Sequence, residues 1–383
     1  MAMRFAPSLR LLADLIAGAL GGPPAPAAVI GEAMVALARR HQVSALLRGA
    51  LAMGHHAISP ENLGALEEDY QASLDRRHQA LGRLATIGET FSARGISWMA
   101  VKGTTQAAQL YHDPAWRFSA DLDILVEDRD FAPSLRALEA LGFIASYPPL
   151  PASALLRRLM LWALRDVTLI AADDHRCAVE LHRRLFFARA YCLPRQDGPI
   201  PVAKLGPELA FYLIAHGALS QWVRLKWLAD LVPLLNMLDD EGRRSLLAIA
   251  KAAKAERALA ASLLLLHALF PCAVLGSLAP WLAVQAQRVS VQRRFARYAE
   301  MLGRADDQRH SPLNDAFVSL QANLMVFDSL PARLLLLLKA PASSLVRRLA
   351  ALFYPAERSL TLPPSDVVSA PAIQRVTPRK EII

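Results

Sequence analysis

The spacing of apolar and polar positions changes character twice along the chain. From residue 8 to residue 93 apolar residues recur at helical intervals, as in AVIGEAMVALARRHQVSALLRGALAM. The later part of this stretch opens on Ser59, Pro60 and Glu61 and stops at Gly95, the start and stop signals of a helix. The texture then becomes shorter in period. ISWMAV, residues 96–101, is brief, apolar and partly β-branched, and reads as a strand. GTTQAAQLYHD follows as a short helix opening at Gly103, and DLDILVE as a second strand. DFAPSLRALEALGF is an amphipathic helix ending at Gly142, with a further helical stretch after it. RDVTLIAADDHRCAVELHRRL predicts a β-hairpin with arms 167–171 and 177–181 and Asp173-Asp174 at its turn. From Pro207 to about residue 303 the helical period returns.

These patterns predict an α+β, mostly helical chain with a small mixed sheet between two helical regions. The expected divisions are 1–94 for the N-terminal helices, 95–206 for the sheet-bearing core and 207–354 for the C-terminal helices. Residues 355–383 are Pro- and Ser-rich, and are expected to be an extended or partly disordered tail.

Composition agrees with a helical body. The 383 residues are 54% apolar and only 20% charged, and the dominant Leu and Ala both favour helix. The net charge is +9, carried mostly by Arg, since only seven residues are Lys. The positive charges are spread rather than blocked, which suits a phosphate-bearing ligand better than a nucleic-acid groove. The three cysteines, Cys177, Cys192 and Cys272, have no metal-site spacing, so a reduced, cytoplasmic protein is expected. Asp14 interrupts the apolar N-terminus and disfavours an export signal. The uncharged run 258–285 is long enough to span a bilayer, but Pro271 and Pro280 split it, and a buried helical hairpin is the expectation. The run RLLLLLK, 333–339, is too short to span.

In such an apolar chain the head of the second strand stands out. Asp121 and Asp123 lie two apart on a strand and therefore share a face. Two carboxylates so close repel unless positive charge sits between them, and a magnesium ion with open positions for phosphate oxygens fits that need. Glu180, on the second hairpin arm, joins them if that arm pairs beside DLDILVE. Three carboxylates on adjacent strands suit two-metal phosphoryl or nucleotidyl transfer. A triphosphate would need a cradle, and VKGTTQAAQLY supplies one: Gly103 for close backbone approach, and the hydroxyls of Thr104 and Thr105. Lys102 and Arg117 are the nearest cations, although Arg117 can instead pair with Asp113 or Asp121. His182 shares the face of Glu180 and reads as a structural hydrogen-bonding group. His216, Trp222, Lys226, Trp227 and Asp230 read mainly as packing residues, with Lys226 and Asp230 spaced for an i, i+4 pair and room for one or two of the five to line the nucleotide cleft.

A strand ending in Gly-Thr, a helix, and Asp-x-Asp on the next strand resembles the DNA-polymerase-beta-like nucleotidyltransferase superfamily. More narrowly, VKGTTQAAQLYHDPAWRFSADLDILVED, VELHRRL and AHGALSQWVRLKWLADL together resemble the bacterial uncharacterised nucleotidyltransferase family, over roughly residues 96–235. The resemblance implies a polymerase-beta-type sheet, metal ligation by Asp121, Asp123 and Glu180, and phosphate handling around Gly103 and Thr104. It brings no substrate. Thr104 stands where many relatives have Gly or Ser, and keeps a hydroxyl. The expected activity is magnesium-dependent transfer of a nucleoside monophosphate from an NTP, such as ATP, to a hydroxyl or phosphate, with two ions at the site. The acceptor would be a small molecule, a peptide natural product or a protein. The competing expectation is a catalytically silent nucleotide- or partner-binding module.

Overall fold

The computed structural model describes residues 5–304, apart from 55, 149, 152, 175–176 and 187–191, together with Val326. The Pro-rich tail and the run 333–339 lie outside the described residues. The chain opens with α1 (Pro7–Ala19), β1 (Val29–Ile30), α2 (Glu32–Arg40), α3 (Ser44–Ala52), β2 (Ala57–Ile58) and the long α4 (Pro60–Ser92). Ser59 caps α4 by accepting from the Asn62 amide at 3.2 Å, with Pro60 in the first turn where no donor is missed. Next come β3 (Trp98–Ala100), α5 (Thr104–Leu110), β4 (Asp121–Val126), α6 (Phe131–Ala140), β5 (Phe143–Tyr147) and α7 (Ala154–Ala163). The hairpin β6 (Asp166–Ala171) and β7 (Ala178–His182) follows, with the short β8 (Arg195–Gln196) and β9 (Val202–Ala203). The remaining described elements are α8 (Pro207–Leu219), α9 (Leu225–Met237), α10 (Asp240–Ala252), α11 (Glu256–Leu269), α12 (Ala279–Ala286) and α13 (Val289–Gly303).

The mostly helical α+β expectation is met. The mixed sheet has the order β5-β6-β7-β4-β3-β9-β8. The predicted hairpin is antiparallel, and β7 runs parallel to β4, the pairing on which the placement of Glu180 depended. Five short strands escape the pattern: β1 paired with β2 inside the first helical region, β8, β9, and β5, which lies in the stretch expected to be helical. β5 is a five-residue apolar run just after a helix, and so short a run carries no decisive period. The helix before it stops because Gly142 takes φ +84°, a conformation that favours glycine.

Two apolar cores lie against the sheet. Leu122, Ile124 and Val126 of β4 and Val179 and Leu181 of β7 join one core with Leu84, Ile87 and Phe91 of α4 and Phe131, Leu135 and Leu138 of α6. The other core unites α1, α2 and α3 with α8, α9, α10, α11 and α13, so helices from both ends of the sequence share it. Because strand residues alternate, Asp121, Asp123, Glu180 and His182 face away from the first core. The run 258–285 is broken after Leu269, and α11 and α12 pack as separate helices. Among the described residues no helix is long and apolar enough to cross a membrane.

Candidate active site

Register builds the centre of the site. On the parallel pair Asp121 lies opposite Ala178 and Asp123 opposite Glu180. The His182 imidazole reaches both acids, with Nε2 3.1 Å from Asp123 Oδ1 and 3.4 Å from Glu180 Oε2. Asp123, Glu180 and His182 offer ligand atoms within 4.8 Å of one another. Asp121 is not in this innermost group, but its charge acts on Lys102, Glu180 and Lys226. The three expected carboxylates therefore share one face of the sheet, with Asp121 at its rim.

Lys102 leaves the end of β3 and places Nζ 2.5 Å from Asp123 Oδ2. Both oxygens of this buried carboxylate are thus covered by positive groups. Burial works against the ionised forms here, but the mutual attraction outweighs it. Asp123 is held far below the ordinary carboxylate range by Lys102 and His182, and Lys102 is held above the ordinary lysine range by Asp123 and Asp121. For His182, burial alone would lower the imidazolium, and its bonds to Asp123 and Glu180 hold it at about 9 instead. His182 Nδ1 is buried without a hydrogen-bond partner. Glu180 goes the other way: burial, then the charges of Asp123 and Asp121, raise its carboxyl despite the His182 bond.

The phosphate-side residues are placed less uniformly. Gly103 has φ +78°, and a Cβ there would meet Ser119 Oγ at 2.5 Å, so packing as well as conformation requires glycine. Thr104 and Thr105 are buried, and the Arg77 guanidinium donates to the Thr104 carbonyl. Arg117 pairs with neither Asp113 nor Asp121. Its Nε donates to Asp230 Oδ1 and Oδ2 at 2.7 and 2.8 Å, and Tyr111 Oη donates to Oδ1 at 2.6 Å. This buried clasp ties α5 and the segment before β4 to α9.

The clasp corrects the expected Lys226–Asp230 pair. One helical turn separates the two, but the Asp230 carboxylate is committed to Arg117 and Tyr111, and Lys226 Nζ lies 5.7 Å from the centre of the Phe118 ring. Burial, then the neighbouring Arg117 charge, lowers the Lys226 ammonium to about 7. Two residues of α8 complete the surroundings. The Tyr212 phenol is raised by burial within the fields of Lys102 and Asp123, and His216 is lowered well below its ordinary value, chiefly by burial. Tyr212 and His216 are one turn apart, a spacing the sequence contained but which a wholly apolar helix also generates.

The donor set fits a divalent cation. It offers carboxylate oxygens from adjacent strands, the ligands such an ion takes, although the Lys102 ammonium shares Asp123 with any ion bound there. A family model described as "Uncharacterised nucleotidyltransferase" matches residues 31–271. No curated protein and no solved structure matches the chain.

Proposed function

The chain belongs to the uncharacterised nucleotidyltransferase family, and on that premise we propose that it moves a nucleoside monophosphate from an NTP to an acceptor hydroxyl or phosphate, with magnesium, releasing pyrophosphate. The observation that carries the reading is the β4–β7 register, with Asp123 beside Glu180 and Asp121 two residues before on the same face. In the reaction the acceptor oxygen bonds to the α-phosphorus. The bond from that phosphorus to the oxygen bridging the β-phosphate breaks, and pyrophosphate leaves with the electron pair.

Asp121, Asp123 and Glu180 are the proposed magnesium ligands. Bound magnesium neutralises phosphate charge and stabilises the attacking and leaving oxygens. Glu180, opposite Asp123 on the neighbouring strand, is also the proposed receiver of the acceptor proton. Lys102, seated on Asp123, and the backbone of Gly103 and Thr104 that follows it are the proposed phosphate contacts. Arg117, clasped by Asp230, contributes by fixing Phe118 and α9 beside them.

The test uses NTPs labelled at the α-phosphate, incubated with the protein, magnesium and a small-molecule extract as the source of acceptor. Transfer of label to a new species with release of pyrophosphate is the expected result. The Lys102–Asp123 ion pair favours a second reading, because a lysine seated on the central carboxylate also suits a silent nucleotide-binding module. NTP that binds but stays whole in every extract would select that reading. NTP that fails to bind would remove both.

A further inference from the structure

Lys226 is a buried cation that the proposed chemistry leaves unused. It is 9% exposed and, among the described residues, forms no ion pair, since the one acid a helical turn away is held by Arg117 and Tyr111. Around its ammonium lie Arg117 and Lys102, both positive, Asp121 at the rim of the carboxylate cluster, and Asp230. The Phe118 ring lies beside it at 5.7 Å and also carries the Arg76 guanidinium at 5.1 Å. An aromatic ring offers a buried ammonium only part of what an anion offers.

We propose that Lys226 binds a phosphate group of the nucleotide, so that α9 in the C-terminal helices, and not the sheet motif alone, forms the phosphate side of the site. The proposal rests on the nucleotidyltransferase reading and adds the residue that takes the role Arg117 was expected to fill. Three observations carry it. Asp121 acts on both Lys102 and Lys226, and Phe118, whose ring lies beside the Lys226 ammonium, is three residues before Asp121 in the chain. The Arg117–Asp230 clasp fixes α9 against α5 next to the Gly103 turn, so the ammonium is held by a rigid element. Lysine is also scarce in this chain, with seven among 43 basic residues, yet two of the seven are buried within the field of Asp121.

The choice of lysine has a physical reason. An unpaired buried guanidinium stays charged, whereas an amine can release its proton while the site is empty and take one up when an anion arrives. A compact ammonium also suits a phosphate oxygen that needs charge without a planar fork.

The experiment titrates inorganic pyrophosphate with magnesium into the full chain by calorimetry, because pyrophosphate is common to every NTP and bypasses base preference. Wild type is expected to bind, and Lys226→Met to bind roughly 10- to 150-fold more weakly, the worth of one hydrogen bond to a charged group. Without pyrophosphate the variant should melt no lower than wild type, since it loses an unpaired buried charge. Side-chain NMR of the wild type, labelled with 13C-lysine and with Lys226 assigned by its loss in Lys226→Met, gives a second readout that does not need the amine to be accessible. The Lys226 resonance should shift when pyrophosphate is added. Wild-type affinity in Lys226→Met, or a Lys226 resonance that does not move at saturating pyrophosphate, would overturn this inference and leave the nucleotidyltransferase reading standing. Failure of wild type to bind pyrophosphate or any NTP would instead overturn the functional reading, and this inference with it.

Discussion

Replacing Asp123 by Asn removes a charge without changing side-chain volume, and the structure predicts a large cost before any chemistry is considered. Asp123 accepts from Lys102 at 2.5 Å and His182 at 3.1 Å, and the side chains of the lysine and acid are only 11% and 1% exposed. Taking away one partner of a buried pair leaves the other charge uncompensated, at about 3–5 kcal/mol. His182 can shed its proton once Asp123 is neutral, and Asp121 still attracts Lys102, so the expected loss lies near the lower end, about 3 kcal/mol. The assay is urea unfolding of the full chain in EDTA, with a double-mutant cycle. Asp123→Asn should unfold at clearly lower urea, and Lys102→Met with Asp123→Asn should regain most of the loss, because the stranded ammonium is then absent. Magnesium should raise the midpoint of wild type but not of either variant. An Asp123→Asn protein as stable as wild type in EDTA would refute the buried-pair argument. Failure of the double variant to recover would locate the cost elsewhere than Lys102.

Glu180→Gln is expected to slow transfer at saturating NTP while NTP affinity changes little, measured as a kcat loss without a matching rise in KM. An unchanged kcat would remove the proton-accepting role. Gly103→Ala should cost about 1 kcal/mol or more from the φ of +78° alone, and more from the Ser119 contact; adding Ser119→Ala should return only the contact part in urea unfolding. Lys226 predicts a pH dependence with a definite sign. Its folded value of about 7 lies below the ordinary 10.5, so between these limits the unfolded chain holds a proton that the folded chain releases. Stability should therefore rise with pH across that window, the full cost being present below 7. Lys226→Met should lack this rise, and parallel stability–pH curves for the two proteins would show that Lys226 is not the group responsible.

The sequence alone carried the local rules. Strand alternation places Asp121 and Asp123 on one face whatever surrounds them, because side chains two apart on a strand point the same way. The order of strand, glycine turn, helix and acidic strand is also a local matter, and so are the hairpin and the Ser59-Pro60 helix start. Local pattern does not determine which strands become neighbours. Glu180 becomes a partner of Asp123 only because β7 runs parallel to β4 in one register, and a slip of one residue would turn it to the opposite face. Long side chains are decided later still. Arg117 had Asp113 and Asp121 nearby in sequence, yet it meets Asp230, 113 residues away, because α9 packs against α5. That packing takes the expected partner from Lys226 and leaves its ammonium beside the Phe118 ring. Burial, which sets the direction of charge at Lys226, Glu180 and His216, arises only when the sheet and the helices from both ends of the chain come together. It depends on what lies on every side of a group, and sequence spacing describes only the group's own element.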